Sequence, residues 1–381
     1  MSRLITFALL IAGLLASSLS SASPIAPPDI AARAWILVDY DSGQILAAKE
    51  PDQRLEPASL TKIMTTYLVA KALKEKRLAP EQIVTISERA WRTYGSRSFL
   101  QVGTQVSVDV LLKGMIVQSG NDAAVALAEA VSGSEDIFAV AMTQEAVRLG
   151  LSNTNFLNAS GFFDNAKPEH YSTARDMALL AAALMRDYPE VHALHAMKEF
   201  TYGKIKQHNR NRLLWLDPTV DGLKTGHSDN AGYCLTATAK RGTQRLIGVV
   251  LGTASDNVRT AEMQKLLNWG YQAFDTVRLY AKDEPVAQAK IFKGTEPSVG
   301  AGFASDFALA LPKGRSGNPA TKITLKPGLL APLKRGDVVG TLEVSVEGQP
   351  LGEYPLIALQ EIAQAGIVGR AIDSIKLWFV K

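Results

Sequence analysis

The sequence predicts an α+β fold: an antiparallel sheet flanked by a helical cluster, followed by a small all-β domain and a C-terminal amphipathic helix. Three observations predict it. Strand-like segments stand on both sides of a long middle section rich in Ala, Leu and Met at helical spacing. Beyond Asp283 that spacing gives way to short alternating runs separated by Gly, Pro and Asn. From residue 361 onward, bulky apolar residues return at helical spacing. With 381 residues, 47% of them hydrophobic, the chain can bury more than one core. At about 150 residues per domain, two domains are expected.

Taken in order, the chain opens with Arg3, an apolar run over residues 4–15 and the small residues Ser20-Ser21-Ala22-Ser23 before Pro24. This pattern is that of a secretory signal covering residues 1–22; an uncleaved anchor is the alternative. A catalytic domain is expected over 30–276. It begins with a hairpin, a strand over 35–40 and a second over 44–48, joined by Asp41-Ser42-Gly43. Helices are expected over 63–73, 109–117, 122–131 and 176–185. From Asp221 strands return, one run over 222–239 and another over 246–252, with a turn at Lys240-Arg241-Gly242-Thr243, and a helix over 257–274 closes the domain. The all-β domain is expected over 283–360, with alternating runs at 306–311, 322–325 and 338–346. In the terminal segment, 361–381, Ile362, Ala365, Val368, Ile372, Ile375 and Phe379 fall on one helical stripe, and Lys376, Trp378 and Lys381 suit a membrane interface. A helix docked on its own β domain is the alternative.

An exported protein works apart from ATP and nicotinamide cofactors, so no cofactor is expected. The 41 Lys+Arg against 37 Asp+Glu give +4 spread without a basic block, which argues against nucleic acid. No His or Cys spacing suggests a metal site. The lone cysteine, Cys234, rules out an internal disulfide and sits in an alternating stretch that reads as buried structure.

Three short motifs carry chemistry. In Ser59-Leu60-Thr61-Lys62, after Pro57, positions i and i+3 share a helical face, so hydroxyl and amine project together. Serine needs a base to become a nucleophile. Lysine serves only when its pKa falls well below about 10.4, which burial, a nearby cation or a helix N-terminus achieves. The following residues Ile63, Met64, Tyr67, Leu68 and Val69 predict a buried helix. Ser119-Gly120-Asn121 offers a hydroxyl to relay a proton and an amide to hold a peptide carbonyl, though Ser and Asn are also ordinary N-caps. Lys224-Thr225-Gly226-His227 lies in a strand: Gly226 leaves room for an extended substrate backbone, while Lys224 and Thr225 face a carboxylate. Lys224 is also expected to depress Lys62. Backbone N–H groups of Ser59 and His227 suit an oxyanion hole, where a lost donor costs about 2.7–4 kcal/mol. Each motif alone also fits solvated polar residues.

In combination and in this order the trio resembles that of penicillin-binding proteins and class A β-lactamases. The longer strings Pro57-Ala58-Ser59-Leu60-Thr61-Lys62-Ile63-Met64-Thr65, Gln118-Ser119-Gly120-Asn121-Asp122-Ala123, His170-Tyr171-Ser172-Thr173-Ala174 and Asp221-Gly222-Leu223-Lys224-Thr225-Gly226-His227 narrow it. The sequence resembles the D-alanyl-D-alanine carboxypeptidases, low-molecular-weight penicillin-binding proteins, from about Trp35 to the C-terminus. The resemblance implies a serine β-lactamase/DD-peptidase-like fold and removal of the terminal D-alanine from peptidoglycan pentapeptide stems. Ser59 would be the nucleophile and Lys62 the base, with Ser119 and Asn121 sharing proton handling. Lys224, Thr225, Gly226 and His227 would bind substrate, and Arg259 would lie near its carboxylate or, alternatively, be a surface charge at a helix start. It further implies acylation by β-lactams and attachment to the outer surface of the inner membrane through the C-terminal helix. Ser-Gly-Asn in place of Ser-Asp-Asn, and no Glu-x-x-x-Asn pattern, favour the carboxypeptidase over a class A β-lactamase. A DD-endopeptidase, a β-lactam-hydrolysing variant and an idle peptidoglycan-binding scaffold remain the alternatives.

Overall fold

A computed structural model of the protein describes residues 26–163, 165, 167–314 and 319–377. The predicted signal, residues 1–22, lies outside them. The chain enters the described region on β1 (Ala34–Asp39) and returns on β2 (Ile45–Lys49), the hairpin expected from Asp41-Ser42-Gly43. After a single 3₁₀ turn (Ala58–Thr61) comes α1 (Lys62–Lys74), whose residues from Lys62 to Ala70 are all buried. A helix apolar on every side can only be central, and α1 is the axis of the helical cluster. Around it follow β3 (Ile83–Thr85), α2 (Glu88–Arg92), β4 (Gln105–Ser107), α3 (Val108–Val117), α4 (Asn121–Ser132), α5 (Glu135–Arg148), α6 (Ala174–Asp187) and α7 (Pro189–His192). Ser87, Ser107, Ser134 and Thr173 cap α2, α3, α5 and α6, each side chain accepting a backbone N–H of the first turn.

A small hairpin, β5 (Glu199–Tyr202) and β6 (Ile205–His208), and the one-turn α8 (Leu213–Leu216) lead back to the sheet. There β7 (Val220–Ser228), β8 (Gly232–Arg241) and β9 (Gln244–Thr253) complete five antiparallel strands in the order β2-β1-β9-β8-β7, which leaves β7 at an edge. The run over 222–239 is therefore two strands: Asp229, Asn230 and Ala231 turn the chain, a break that continuous apolar character on either side hides. The strands alternate between two cores. Ile36, Ile247 and Val249 face the helical cluster, while Leu37, Leu246 and Val250 face α9 (Asp256–Ala273). That helix packs closely because Gly248 and Gly270 lack side chains; a Cβ there would stand 2.5 Å from Met263 Sδ and from Leu37 Cδ2, respectively.

The C-terminal region starts directly from α9. Strand β10 (Phe274–Tyr280) pairs with a later strand, β13 (Phe307–Pro312). Between and after them come β11 (Ala287–Phe292), β12 (Ser298–Gly302), β14 (Ala320–Leu325), β15 (Leu329–Leu330), β16 (Val338–Val346) and β17 (Gln349–Ala358). These form a six-stranded sheet, β14-β16-β17-β12-β11-β15. Its core gathers Ile291, Val299, Leu309, Leu342, Val344 and Leu356. Contacts such as Thr276 Oγ1 donating to the buried Asp39 carboxylate, and Ala310 N donating to Gln44 Oε1 at 2.6 Å, tie the regions together.

The terminal helix, α10, covers Ile367–Leu377 and not the whole of 361–381. Residues 361–366 are extended. Ile362, only 1% exposed, exchanges backbone hydrogen bonds with Leu333 at 2.9 and 3.0 Å and completes the β core. Helical spacing placed Ile362 on the apolar stripe, but strand pairing claims it first, because a bridge satisfies its backbone while the side chain fills the core. Ile367, Val368 and Ile372 are 78%, 74% and 50% exposed, and Lys293 N holds the helix at the Asp373 carboxylate. Trp378, Phe379 and Lys381 lie outside the described residues. None of the described helices is long and apolar enough to cross a membrane.

Candidate active site

Pro57 and Ala58 bring the chain into the 3₁₀ turn, with Ala58 at a left-handed φ of 45° that a small side chain tolerates. Ser59 and Lys62 leave this turn together. Lys62 is 1% exposed, and its Nζ lies 2.9 Å from Ser59 Oγ, 2.7 Å from Asn121 Oδ1 and 2.8 Å from the Ser160 carbonyl. The Asn121 orientation is fixed, since its Nδ2 donates to Tyr94 O at 2.6 Å, so Oδ1 must accept. No carboxylate contacts the amine among the described residues.

Burial dominates the electrostatics. It lowers Lys62 to about 7, helped by the Arg210 cation and opposed by Asp122 and Glu135. A neutral amine has two N–H groups and one lone pair. Asn121 Oδ1 and Ser160 O take the two hydrogens, which leaves the lone pair facing the Ser59 hydroxyl. That is the geometry a general base needs before it takes a proton.

The second motif arrives from the gap between α3 and α4. Ser119 adopts φ 65° and is 3% exposed; its Oγ accepts from Lys224 Nζ at 2.9 Å. The Asp122 carboxylate receives Ser98 N at 2.8 Å and Leu100 N at 3.1 Å, and Asn121 N donates to Ser96 O at 2.7 Å. The short loop after α2 is thereby pinned to the motif.

The third motif lies on β7, an edge strand of the sheet. Lys224 and Thr225 are 3% and 5% exposed. Lys224 is also lowered well below the usual lysine value, by burial first and then by Lys62, Arg210 and Arg259. The two buried amines repel one another, so each disfavours a proton on the other, beside the burial and the Arg210 charge that act on both. Gly226 has a packing reason beside the room for substrate that its sequence suggests. A Cβ there would stand 2.8 Å from Pro57 O and 3.3 Å from Ser59 N, so the missing side chain lets β7 abut the Ser59–Lys62 turn itself. His227 is exposed, its ring 3.9 Å from that of Tyr233.

Arg259 lies behind the strand. It is 5% exposed, which excludes a surface charge; Nη1 donates to the carbonyls of Gly226 at 3.3 Å and Cys234 at 3.5 Å, and Nη2 pairs with Asp256. In this arrangement it braces β7 and β8. Cys234 sits opposite Gly226 with a fully buried thiol that burial pushes up to about 11.

Three contributors have no motif of their own. Ser160 acts through its carbonyl, which no side-chain pattern reports. Arg210, in Asn209-Arg210-Asn211-Arg212, has no hydrogen-bond or ion-pair partner among the described residues, yet its charge lowers both amines. His170, 1% exposed, lies 2.8 Å from Thr61 Oγ1, inside the Ser59–Lys62 turn.

Residues 21–255 match the family of D-alanyl-D-alanine carboxypeptidase peptidases, and residues 274–364 match the C-terminal domain of penicillin-binding protein 5. The chain is 44% identical over 360 residues to the D-alanyl-D-alanine carboxypeptidase DacC of Escherichia coli (strain K12), covering 92% of this chain and 89% of that protein. Its structure resembles penicillin binding protein 5 from Haemophilus influenzae with a TM-score of 0.83 at 40% identity, covering 89% of this chain and 100% of that one. It also resembles Penicillin-Binding Protein D2 from Listeria monocytogenes in its ampicillin-bound form, with a TM-score of 0.59 at 31% identity, over 64% of this chain and 100% of that one.

Proposed function

Because this chain belongs to the D-alanyl-D-alanine carboxypeptidase family of serine peptidases, we propose that Ser59 is its nucleophile, Lys62 its general base, and β7 the strand along which the stem peptide lies. The enzyme is a serine-type D-Ala-D-Ala carboxypeptidase. The observation that carries the assignment of roles is the buried Lys62 amine, lowered to about 7 and 2.9 Å from Ser59 Oγ.

Lys62 takes the Ser59 proton as Oγ attacks the carbonyl between the two D-alanines. The N–H groups of Ser59 and His227 receive the developing oxyanion. The tetrahedral intermediate collapses, the peptide C–N bond breaks, and the proton passes from Lys62 to the departing amine with Ser119 as relay. Free D-alanine leaves and the acyl group stays on Ser59. Water then attacks the ester, Lys62 and Asn121 hold it in place, and the proton returns to Ser59. Lys224, Thr225 and Arg210 offer two cations and a hydroxyl to the terminal carboxylate, with Arg259 fixing the strand that presents Lys224 and Thr225. A β-lactam offers the same carbonyl next to a carboxylate and acylates the same serine.

The test is to follow D-alanine release from a peptide ending in D-Ala-D-Ala beside benzylpenicillin turnover. Release with slow penicillin turnover is expected. Fast penicillin hydrolysis without free D-alanine would make the chain a β-lactamase.

For location, we infer an exported enzyme held peripherally on the outer face of the inner membrane by α10. The exposed Ile367, Val368 and Ile372 support this reading. Because Ile362 belongs to the β core, the informative truncation starts at Ile367. Removing residues 367–381 should free the protein from membrane vesicles with D-alanine release retained; unchanged co-sedimentation would count against the anchor.

A further inference from the structure

His170 stands outside the three motifs and touches neither the cleft nor any group assigned to the reaction. It is buried between the rings of Phe156 and Phe163, whose centroids lie 5.8 and 5.0 Å from its own. Its hydrogen bonds settle its form. Leu157 N donates to Nδ1 at 3.0 Å, so Nδ1 carries no proton. The hydrogen must then sit on Nε2, which donates to Thr61 Oγ1 at 2.8 Å. Burial lowers the ring to about 4, so one neutral tautomer persists through the working range.

Each end of this bridge reaches a neighbour of the reacting groups. Thr61 lies between Ser59 and Lys62. Leu157 opens the segment that delivers Ser160 O to Lys62 Nζ. The two strands of the bridge are pressed together: at Gly161, φ 72°, a Cβ would stand 1.9 Å from Ala58 O and 2.5 Å from Thr61 Oγ1. We propose that His170 is a positioning residue for the reaction, holding the Ser59–Lys62 turn through Thr61 and the Ser160 carbonyl through Leu157 as one unit. The proposal rests on the roles given above to Ser59 and Lys62.

Removal of the ring should loosen the site without unfolding it. The same segment has separate anchors in Thr65 Oγ1 to Ala159 O at 2.6 Å, and Ala159 N to Glu135 Oε1 at 3.1 Å. The consequence is water beside Lys62. Arg210, Asp122 and Glu135 act on that amine from farther away and stay in place. Weaker desolvation raises the amine, so the acid limb of acylation moves to higher pH.

The experiment measures second-order acylation by benzylpenicillin against pH, together with thermal unfolding, for the full chain and three variants. His170→Ala should acylate about tenfold more slowly or worse at neutral pH, with its acid limb raised by about half a unit or more. Thr61→Val should do the same. His170→Gln, whose amide can accept from Leu157 N and donate to Thr61, should return both rate and limb close to the parent. If the parent acylates on Ser59 while His170→Ala keeps its acid limb and changes only its melting temperature, His170 is merely structural and the proposal is overturned. If the parent does not acylate on Ser59, it is the assignment of the nucleophile that fails.

Discussion

Replacing Ser59 by alanine should lower D-alanine release by more than about 10⁴-fold and abolish the benzylpenicillin adduct, with the fold unchanged. Among the described residues the hydroxyl makes one hydrogen bond, to Lys62 Nζ at 2.9 Å. A hydrogen bond of that kind contributes about 1 kcal/mol to stability, too little to unfold a protein of this size. Lys62 keeps its bonds to Asn121 and Ser160, so the cleft retains its shape. Intact-mass measurement after penicillin treatment, beside circular dichroism, reads both halves of the result. An adduct that persists in the alanine variant places the nucleophile on another residue.

Lys62 is the second residue whose loss should be severe. Lys62→Met preserves most of the buried volume but supplies no base, and acylation should fall by about 10²–10⁴-fold. Lys62→Arg tests proton transfer against mere charge. Arginine supplies a cation but does not give up its proton, so it should be nearly as inactive as methionine. An arginine variant that acylates at close to the parental rate would mean that charge, not proton transfer, is what the site needs from position 62.

That the candidate side chains meet in space was legible in the sequence, because local geometry writes it there. A hydroxyl and an amine three residues apart share a helical face, and the structure brings Ser59 and Lys62 within hydrogen-bonding reach. Order and chemistry together also picked out Ser119, Asn121 and Lys224, which the fold joins across 59 and 105 positions of chain through the Lys62–Asn121 and Lys224–Ser119 bonds. What stayed hidden depends on through-space neighbours. Ser160 contributes a carbonyl that every residue possesses. Arg210 works by its distance to two amines, and sequence spacing carries no such distance. Gly226 shows the same limit in a different form: its smallness was readable, but that it makes room for the Pro57–Leu60 turn was not.

Some elements are harder to read for a related cause. The helix α5 shows a weak pattern, although Ser134 caps it, because Ile137, Val140 and Val147 point outward and blur its apolar face. Ile362 fitted a helical stripe and a strand equally well by spacing, and only the unfilled β core and the backbone of Leu333 decide between them. The hairpin, the central helix and the change to β structure were readable because each is set by turn residues or by periodicity within a single segment.

The central claim is that burial lowers the Lys62 amine to about 7, so that a large share of it is neutral in the working range and ready to accept the Ser59 proton. The most direct test is the pH dependence of Ser59 acylation by benzylpenicillin under second-order conditions. Since the neutral amine is the active form, the rate should rise with pH through an apparent pKa of about 7 and then level off. A rate that keeps climbing toward pH 10, as for a solvated lysine, would contradict the account.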